Sequence, residues 1–325
     1  MEPVRIGVIG VGAWGRNHAR VFQAAPEAEF VGVFDEDAAR AREGAERFGC
    51  RAFPDAGSLL AEVEAVTVAA PTTAHHSLTL QAIRKGVHVL VEKPIARTVE
   101  EAEEMGRAAR EAGLVLAVGH LERFNPAVEA LLAEERDPRF LEIHRLSPFD
   151  VRGLDVSVVL DLMIHDIDIL LRLVRSPIAS LDAVGVPVLS RAIDIANARI
   201  RFENGCVANL TASRISLQKT RKIRIFERDR YISLSYTDQT VTVYRRVGEI
   251  PSPDRLTPDS FAKLVRREQP AVEKGEPLRN ELTHFLRAVR GEEGARRVTA
   301  REGTEALDTA LRVLASMDGD RDGAR

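Results

Sequence analysis

The 325-residue chain has little of several things, and each shortage excludes something. Its two cysteines, Cys50 and Cys206, cannot make a disulfide framework and fit a reducing cytoplasm. No apolar run is long enough to span a bilayer. The apolar stretch near the N-terminus is short and reads as a first strand, so neither a signal peptide nor an anchor is expected. Neither charge dominates: the net value of −3 gives no electrostatic case for nucleic acid or an anionic membrane. Lysine is scarce as well. Of 46 basic residues only six are lysines (85, 93, 219, 222, 263 and 274), so a lysine in a special place draws notice. Internal repeats and low-complexity tracts are absent. What remains is ample core material, 45% hydrophobic, in a length that suits two domains.

The most informative stretch is the first. Val4-Arg-Ile-Gly-Val-Ile-Gly10 is an apolar run that meets Val11-Gly-Ala-Trp-Gly15, and a helical stretch from Arg16 to Ala25 follows. In a dinucleotide fold Gly10 permits the tight turn and Gly12 lets the backbone approach a pyrophosphate. Gly15 lets the helix lie close on the strand, with its N-terminal N–H groups facing the phosphates. An ordinary strand-to-helix turn competes with this reading. A second apolar run, Glu29 to Phe34, ends at Asp35, twenty residues past Gly15, where a carboxylate accepts hydrogen bonds from both ribose hydroxyls. Strand, glycine turn, helix, strand and acid make a complete nucleotide-binding unit. Asp35 and Glu36 repel a 2′-phosphate and favour NAD, while Arg40 and Arg42 keep NADP as the less favoured alternative.

Further along, strands at 65–70, 87–91 and 115–118 alternate with helices near 37–48, 73–85 and 98–112, with a short helical turn at 59–62. The alternation implies an α/β fold, a Rossmann-type doubly wound parallel sheet with its ligand crevice beyond the carboxyl ends of the strands. Gly10, Asp35, Ala70 to Thr72, Glu92 to Pro94 and His120 all fall at such ends. After Gly119 the texture changes. Helices at 127–134 and 156–174, a strand at 140–146, and strand-like runs at 196–202, 207–213, 222–226, 231–236 and 240–245 predict a C-terminal α+β domain with a largely antiparallel open sheet. A proline-bearing loop (251–258) and two helices, about 278–289 and 299–316, complete the chain. The expected domains are 1–120 and 121–317, with the last helices able to pack back on the first, and a frayed tail over 318–325.

Two places carry chemistry. Lys93 ends the run Val-His-Val-Leu-Val and precedes Pro94, which forces an extended or turned backbone. Beside a nicotinamide it could donate to a substrate oxygen and stabilise an alkoxide; the plain alternative is a surface lysine paired with Glu92. The second place is the helix holding Asp161, His165 and Asp168. At 100° per residue the three share one stripe of an otherwise apolar helix, so they are expected to bond one another or face a cavity. A histidine beside a carboxylate can take up a hydroxyl proton near neutral pH. A self-satisfied core network competes, and a divalent metal site ranks below both, because no further ligand cluster is evident. Arg214, Lys219, Arg221, Lys222 and Arg224 form a basic hairpin region, either a solvated face or a holder of phosphates. His75 and His76 follow the third strand and either line the cleft near the cofactor or begin a helix. Trp14 reads as a packing residue beside the phosphate turn.

These residues resemble the Gfo/Idh/MocA family of sugar oxidoreductases over nearly the whole chain. The marks are Gly10-x-Gly-x-Trp-Gly15, Pro71-x-x-x-His75, Gly86-Val-His-Val-Leu-Val-Glu-Lys-Pro94, Arg123-Phe-Asn-Pro126 and Asp161-x-x-x-His165-x-x-Asp168. The resemblance implies a Rossmann domain holding NAD through Gly10, Gly12, Ala13, Trp14, Gly15, Asp35, Pro71, Thr72, His75, Glu92 and Lys93. It implies Lys93 and His165 as catalytic groups with Asp161 assisting, and Arg123, Asn125, Asp168, Arg214 and Arg221 toward substrate. It also implies an open sheet that mediates a homo-oligomer, dimer or tetramer. The segments 118–126, 158–168 and 211–226 are most similar to the branch of that family that oxidises C3 of UDP-N-acetylglucosamine. A dehydrogenase of a free sugar, inositol or sugar acid, or a non-catalytic NAD- or sugar-sensing regulator, are the alternatives.

Overall fold

The fold is taken from a computed structural model that describes residues 2–134, 136–149, 156–248 and 264–322. The proline-bearing loop expected over 251–258 lies outside the described residues. The chain divides into two compact units, Met1–Phe124 with Gly275–Asp308, and Asn125–Lys274 with Thr309–Arg325.

In the first unit the strands are Val4–Ile9 (β1), Ala28–Phe34 (β2), Arg51–Ala52 (β3), Ala65–Val68 (β4), His88–Glu92 (β5) and Leu116–Gly119 (β6). The helices Ala13–Ala24 (α1), Ala38–Phe48 (α2), Ala56–Leu60 (α3), Thr72–Arg84 (α4) and Val99–Glu111 (α5) alternate with them. All strands pair in parallel in the order β3-β2-β1-β4-β5-β6. Such a sheet is covered on both faces, which explains the continuous apolar runs of β1, β4 and β5. Helix starts follow local chemistry. The Asp37 carboxylate accepts the N–H groups of Ala39 and Arg40 to cap α2, and Thr98 caps α5 through the Glu101 N–H. A 3₁₀ turn, Leu121–Phe124, closes the segment after β6.

Near the end of the chain lie helices Pro277–Val289 (α8) and Ala300–Asp322 (α9). Leu278, Leu282, Phe285 and Leu286 of α8 recur at helical spacing and enter the same buried cluster as Val8, Phe22 and Leu90. This apolar stripe is why a segment so distant in sequence belongs to the first unit. Helix α9 continues to Asp322, into the stretch expected to fray.

The second unit contains α6 (Pro126–Leu132) and α7 (Ile164–Val174). Its strands are Phe140–Leu146 (β7), Ile178–Val186 (β8), Ile195–Phe202 (β9), Val207–Ser213 (β10), Thr220–Phe226 (β11), Arg230–Ser235 (β12), Thr240–Arg246 (β13) and Val265–Glu268 (β14). They form one eight-stranded sheet ordered β14-β13-β12-β11-β7-β10-β9-β8. Every pairing is antiparallel except that of β7 with β10. Burial alternates along the strands, with Leu141, Ile143, Ile223, Ile225, Ile232 and Leu234 on the covered face. On the other face Phe140, Phe226, Tyr231 and Tyr244 stand in register and stack in a row, with centroids 5.6, 4.9 and 5.4 Å apart.

One expectation needs correction. The stretch expected as a single helix over 156–174 is broken: Val159–Met163 is a π turn, in which the Ile164 N–H reaches the Val159 carbonyl five residues back, and only then does α7 begin. A π turn absorbs one extra residue, so the 100° spacing assumed for Asp161 relative to His165 does not hold. It holds from His165 to Asp168, both within α7.

Candidate active site

In the first unit the glycine turn is built by crowding at two positions and openness at a third. Gly10 has φ +87°, and a Cβ there would stand 2.6 Å from the Ala70 nitrogen. A Cβ on Gly15 would fall 1.7 Å from the Gly10 carbonyl oxygen, whereas one on Gly12 would meet nothing within 4 Å. Helix α1 therefore starts beside open space. Its start has neither a side-chain cap nor an acidic residue in its first turn, leaving N–H groups to meet an anion. The buried Asp35 carboxylate at the end of β2 accepts the Val11 N–H at 2.7 Å and the Asp37 N–H at 3.0 Å. Arg40 Nη1 donates at 3.2 Å to Oδ1, the same oxygen that accepts the Asp37 N–H. An uncapped helix start over a glycine, flanked by a carboxylate, fits the pyrophosphate and ribose of a dinucleotide.

Trp14 is 43% exposed, with Ala13 also exposed beside it. The packing role expected for it is therefore corrected: its indole stands out from the first turn of α1. His75 is buried and lies 2.9 Å from the carbonyls of both Pro94 and Ala70. It ties the end of β4 to the loop after Lys93, and burial pushes its imidazole below the ordinary value, opposing the carbonyls that favour the charged ring. Pro71 and Thr72 start α4 at the same end of the sheet. His76 instead meets Glu104 across the surface at 2.8 Å.

Glu92 sits behind Lys93 and is buried. Its Oε1 lies 2.9 Å from His18 Nε2, and its Oε2 accepts the Lys93 backbone N–H at 3.2 Å. Burial works against its charge, but the hydrogen bond and charge of His18, with the charge of Lys93, hold the carboxyl below its ordinary range. The surface pairing of Lys93 with Glu92 weighed from sequence is thus replaced by a buried Glu92 bound to His18. A sequence signal for His18 exists: it is the one polar side chain on the buried face of α1, with Gly15, Ala19 and Phe22. Arg123, in the 3₁₀ turn, pairs with Glu302 at 3.0 Å.

In the second unit His165 and Asp168 are buried on α7, and Asp161 lies half-buried in the π turn. The residue sequence reading passed over is Asp166. Arg145 on β7 meets it with two hydrogen bonds, Nε to Oδ2 at 2.9 Å and Nη2 to Oδ1 at 2.8 Å. Both residues are under 3% exposed: 1% for Arg145 and 2% for Asp166. The Tyr236 hydroxyl donates to Asp166 Oδ1 at 3.3 Å, and the Arg145 guanidinium carbon lies 5.0 Å from the Tyr236 ring centroid. Removing one partner of such a pair typically costs about 3–5 kcal/mol, because the other charge stays buried. Asn125 caps α6 through the Ala127 N–H and donates to the Tyr236 carbonyl.

The basic hairpin region does not form one patch. Alternation along β11 puts Arg221 on the covered face, directly opposite Arg145, and exposes Lys222 and Arg224 on the other. Lys219 is exposed in the preceding loop. Arg214 is buried, with Nε 3.9 Å from Asp194 and a hydrogen bond to the Val156 carbonyl. Among the described residues no group of three or more His, Cys, Asp or Glu could hold a metal ion.

A Rossmann unit with an open glycine turn and a buried carboxylate at the end of β2, followed by an α+β unit with a buried histidine, fits a dinucleotide-dependent oxidoreductase. The profile described as "Oxidoreductase family, NAD-binding Rossmann fold" matches residues 4–120, and that of the "GFO/IDH/MocA C-terminal domain" matches 137–232. The chain belongs to the Gfo/Idh/MocA family of NAD-binding oxidoreductases. It is 42% identical over 291 residues to the UDP-N-acetylglucosamine 3-dehydrogenase of Acidithiobacillus ferrooxidans, covering 89% of this chain and 90% of that one. A solved structure of that enzyme superposes with a TM-score of 0.87 at 39% identity, covering 98% and 99% of the two chains. The inositol 2-dehydrogenase of Acidothermus cellulolyticus is 34% identical over 192 residues, 56% of each chain.

Proposed function

We propose that this enzyme oxidises a secondary hydroxyl of a nucleotide-sugar, with C3 of UDP-N-acetylglucosamine as the first candidate. The observation that carries the substrate is similarity to a UDP-N-acetylglucosamine 3-dehydrogenase over nine-tenths of both chains. Bound NAD supplies a hydride acceptor at the nicotinamide. In this reading Gly10 to Gly15 and Asp35 hold the dinucleotide, and His165 accepts the hydroxyl proton with Asp161 favouring its charged form. Lys93 donates to the oxygen as negative charge develops on it. Arg221, on the covered face of the sheet, and Asp168, buried on α7, are the side chains assigned to substrate.

A second copy of the chain is the partner proposed for the uncovered sheet face. The stacked row Phe140–Phe226–Tyr231–Tyr244 offers a flat aromatic strip there, and the edge strand β8, beyond β10 and β9, exposes Val184 and Val186. Sedimentation of the wild type and of Tyr231→Glu tests this; equal mass for both, or a monomeric wild type, removes it. The proposed location is the cytoplasm. No helix among the described residues is long and apolar enough to cross a membrane.

The substrate is tested by NADH absorbance on mixing protein and NAD with UDP-N-acetylglucosamine, UDP-N-acetylgalactosamine, UDP-glucose, free N-acetylglucosamine, myo-inositol and glucose. A signal confined to UDP-N-acetylglucosamine supports the reading. Turnover of an unphosphorylated polyol in preference to it overturns the substrate and keeps the family.

A further inference from the structure

The backbone that carries Asp161 is anchored on both sides by buried arginine–aspartate pairs. On the N-terminal side the Val158 N–H donates to the Ile193 carbonyl at 3.0 Å, and Arg214 holds the Val156 carbonyl. Arg214 is itself fixed by Asp194, whose Oδ2 accepts the N–H groups of Val188, Leu189 and Ser190 at 2.8, 2.6 and 2.8 Å. Asp194 Oδ1 takes the Ser190 hydroxyl at 2.7 Å, and the Arg214 N–H returns to the Asp194 carbonyl at 3.0 Å. On the C-terminal side Asp166 is gripped by the two hydrogen bonds from Arg145 and by the Tyr236 hydroxyl.

Between these anchors the chain holds one residue more than an α-helix needs, and the surplus is the π turn Val159–Met163. Left to itself the segment favours the α form, since π turns are rare and survive where surroundings over-determine them. Asp161 sits inside the turn and His165 just past it. The turn therefore sets the angular offset between the two side chains.

We propose that Arg145–Asp166 and Arg214–Asp194 are positioning pairs that hold the π turn, and through it the placement of Asp161 relative to His165. This assigns to Arg214 a role other than substrate contact. The catalytic part of the proposal rests on the reading of His165 as proton acceptor; the part concerning the turn does not. An arginine–aspartate pair was not needed for stability alone, because apolar side chains of similar size fill such a space as well. Arg145–Asp166 supplies a directional hold, two parallel hydrogen bonds that fix rotation about the helix axis as well as distance, while Arg214, beside Asp194, acts through its hydrogen bond to the Val156 carbonyl.

Two variants test it, the double substitution Arg145→Met with Asp166→Leu, and deletion of Leu160, which removes the surplus residue. Crystal structures of both are expected to show α-helix across 158–166. A π turn intact in the double variant overturns the holding role. Kinetics with UDP-N-acetylglucosamine and NAD are expected to show kcat lower by about 100-fold. KM and NADH affinity should stay within roughly threefold of wild type, a split that loss of folding does not give. Wild-type kcat in the deletion variant, with its helix straightened, overturns the link to Asp161. His165→Ala measured alongside separates the two ideas: turnover retained there removes the proton-acceptor reading, and the crystal structures still decide what holds the turn. If the double variant does not fold, Asp166→Asn, which keeps the shape and weakens the grip of Arg145, decides the holding role by the same crystal structure, and the deletion variant decides the link to Asp161 through its kinetics.

Discussion

His18 Nε2 and Glu92 Oε1 lie 2.9 Å apart with both side chains buried, joining α1, the helix after the glycine turn, to β5, which ends at Glu92 just before Lys93. Glu92 also packs tightly on β6, since a Cβ on Gly119 would stand 3.0 Å from its carboxyl carbon. The carboxylate thus fixes three elements at the carboxyl edge of the parallel sheet.

The folded state lowers the Glu92 pKa below its ordinary 4.5, so its ionisation stabilises the fold above that value and the benefit is lost as pH falls below it. Glu92→Gln should melt at a lower temperature than wild type at pH 7, and the two curves should converge in acid. Thermal melts from pH 3 to 7 check this; a constant difference across the range contradicts it.

Lys93→Ala and His165→Ala should each lower kcat by roughly 100-fold or more. NADH affinity by calorimetry should be nearly unchanged for both. Loss of NADH binding in either variant would falsify the division of labour proposed for them.

Asp35→Ala should weaken NAD binding by about 10- to 100-fold, the worth of hydrogen bonds to a charged group. It also removes one of the two carboxylates paired with Arg40, leaving Asp37 at 3.5 Å, so discrimination against NADP should narrow. Calorimetric titration with both cofactors measures the two effects, and an unaltered NAD affinity would remove Asp35 from the ribose site.

His284 predicts a second pH dependence. Burial, with Arg296 and Arg287 nearby, holds its imidazole down to about 4, below the ordinary 6.5. Between those values the unfolded chain binds the extra proton, so stability falls as pH drops through that window. His284→Gln should flatten the slope there, measured as urea midpoints between pH 4 and 7.

What sequence made legible was local. The glycine turn, the acid at the end of β2 and the strand before Lys93 are contiguous motifs whose chemistry needs no distant partner. Burial alternation along β7 and β11 was equally open to reading, and it contains the clue that was passed over: Arg145 follows Leu141 and Ile143 on the inward face. An arginine in an apolar row demands a buried acid, but which one depends on a contact between β7 and α7 that periodicity does not show. The π turn was hidden for a related reason. A uniform helical wheel assumes that the chain length between two anchors suits an α-helix, and both anchors here are tertiary. Glu92 stood in the Lys93 motif, but His18, 74 residues away, was not singled out, because their pairing is a tertiary contact.

The half-exposed indole of Trp14 has one more consequence. It is the only tryptophan in the chain, and it stands on the first turn of α1, the helix proposed to face the dinucleotide phosphates. Indole emission overlaps the absorption of reduced nicotinamide and not that of the oxidised form. With the cofactor in the proposed place, the unlabelled protein is an optical gauge with a single emitter, expected to dim by energy transfer when reduced cofactor occupies the turn and to brighten as it departs or is reoxidised.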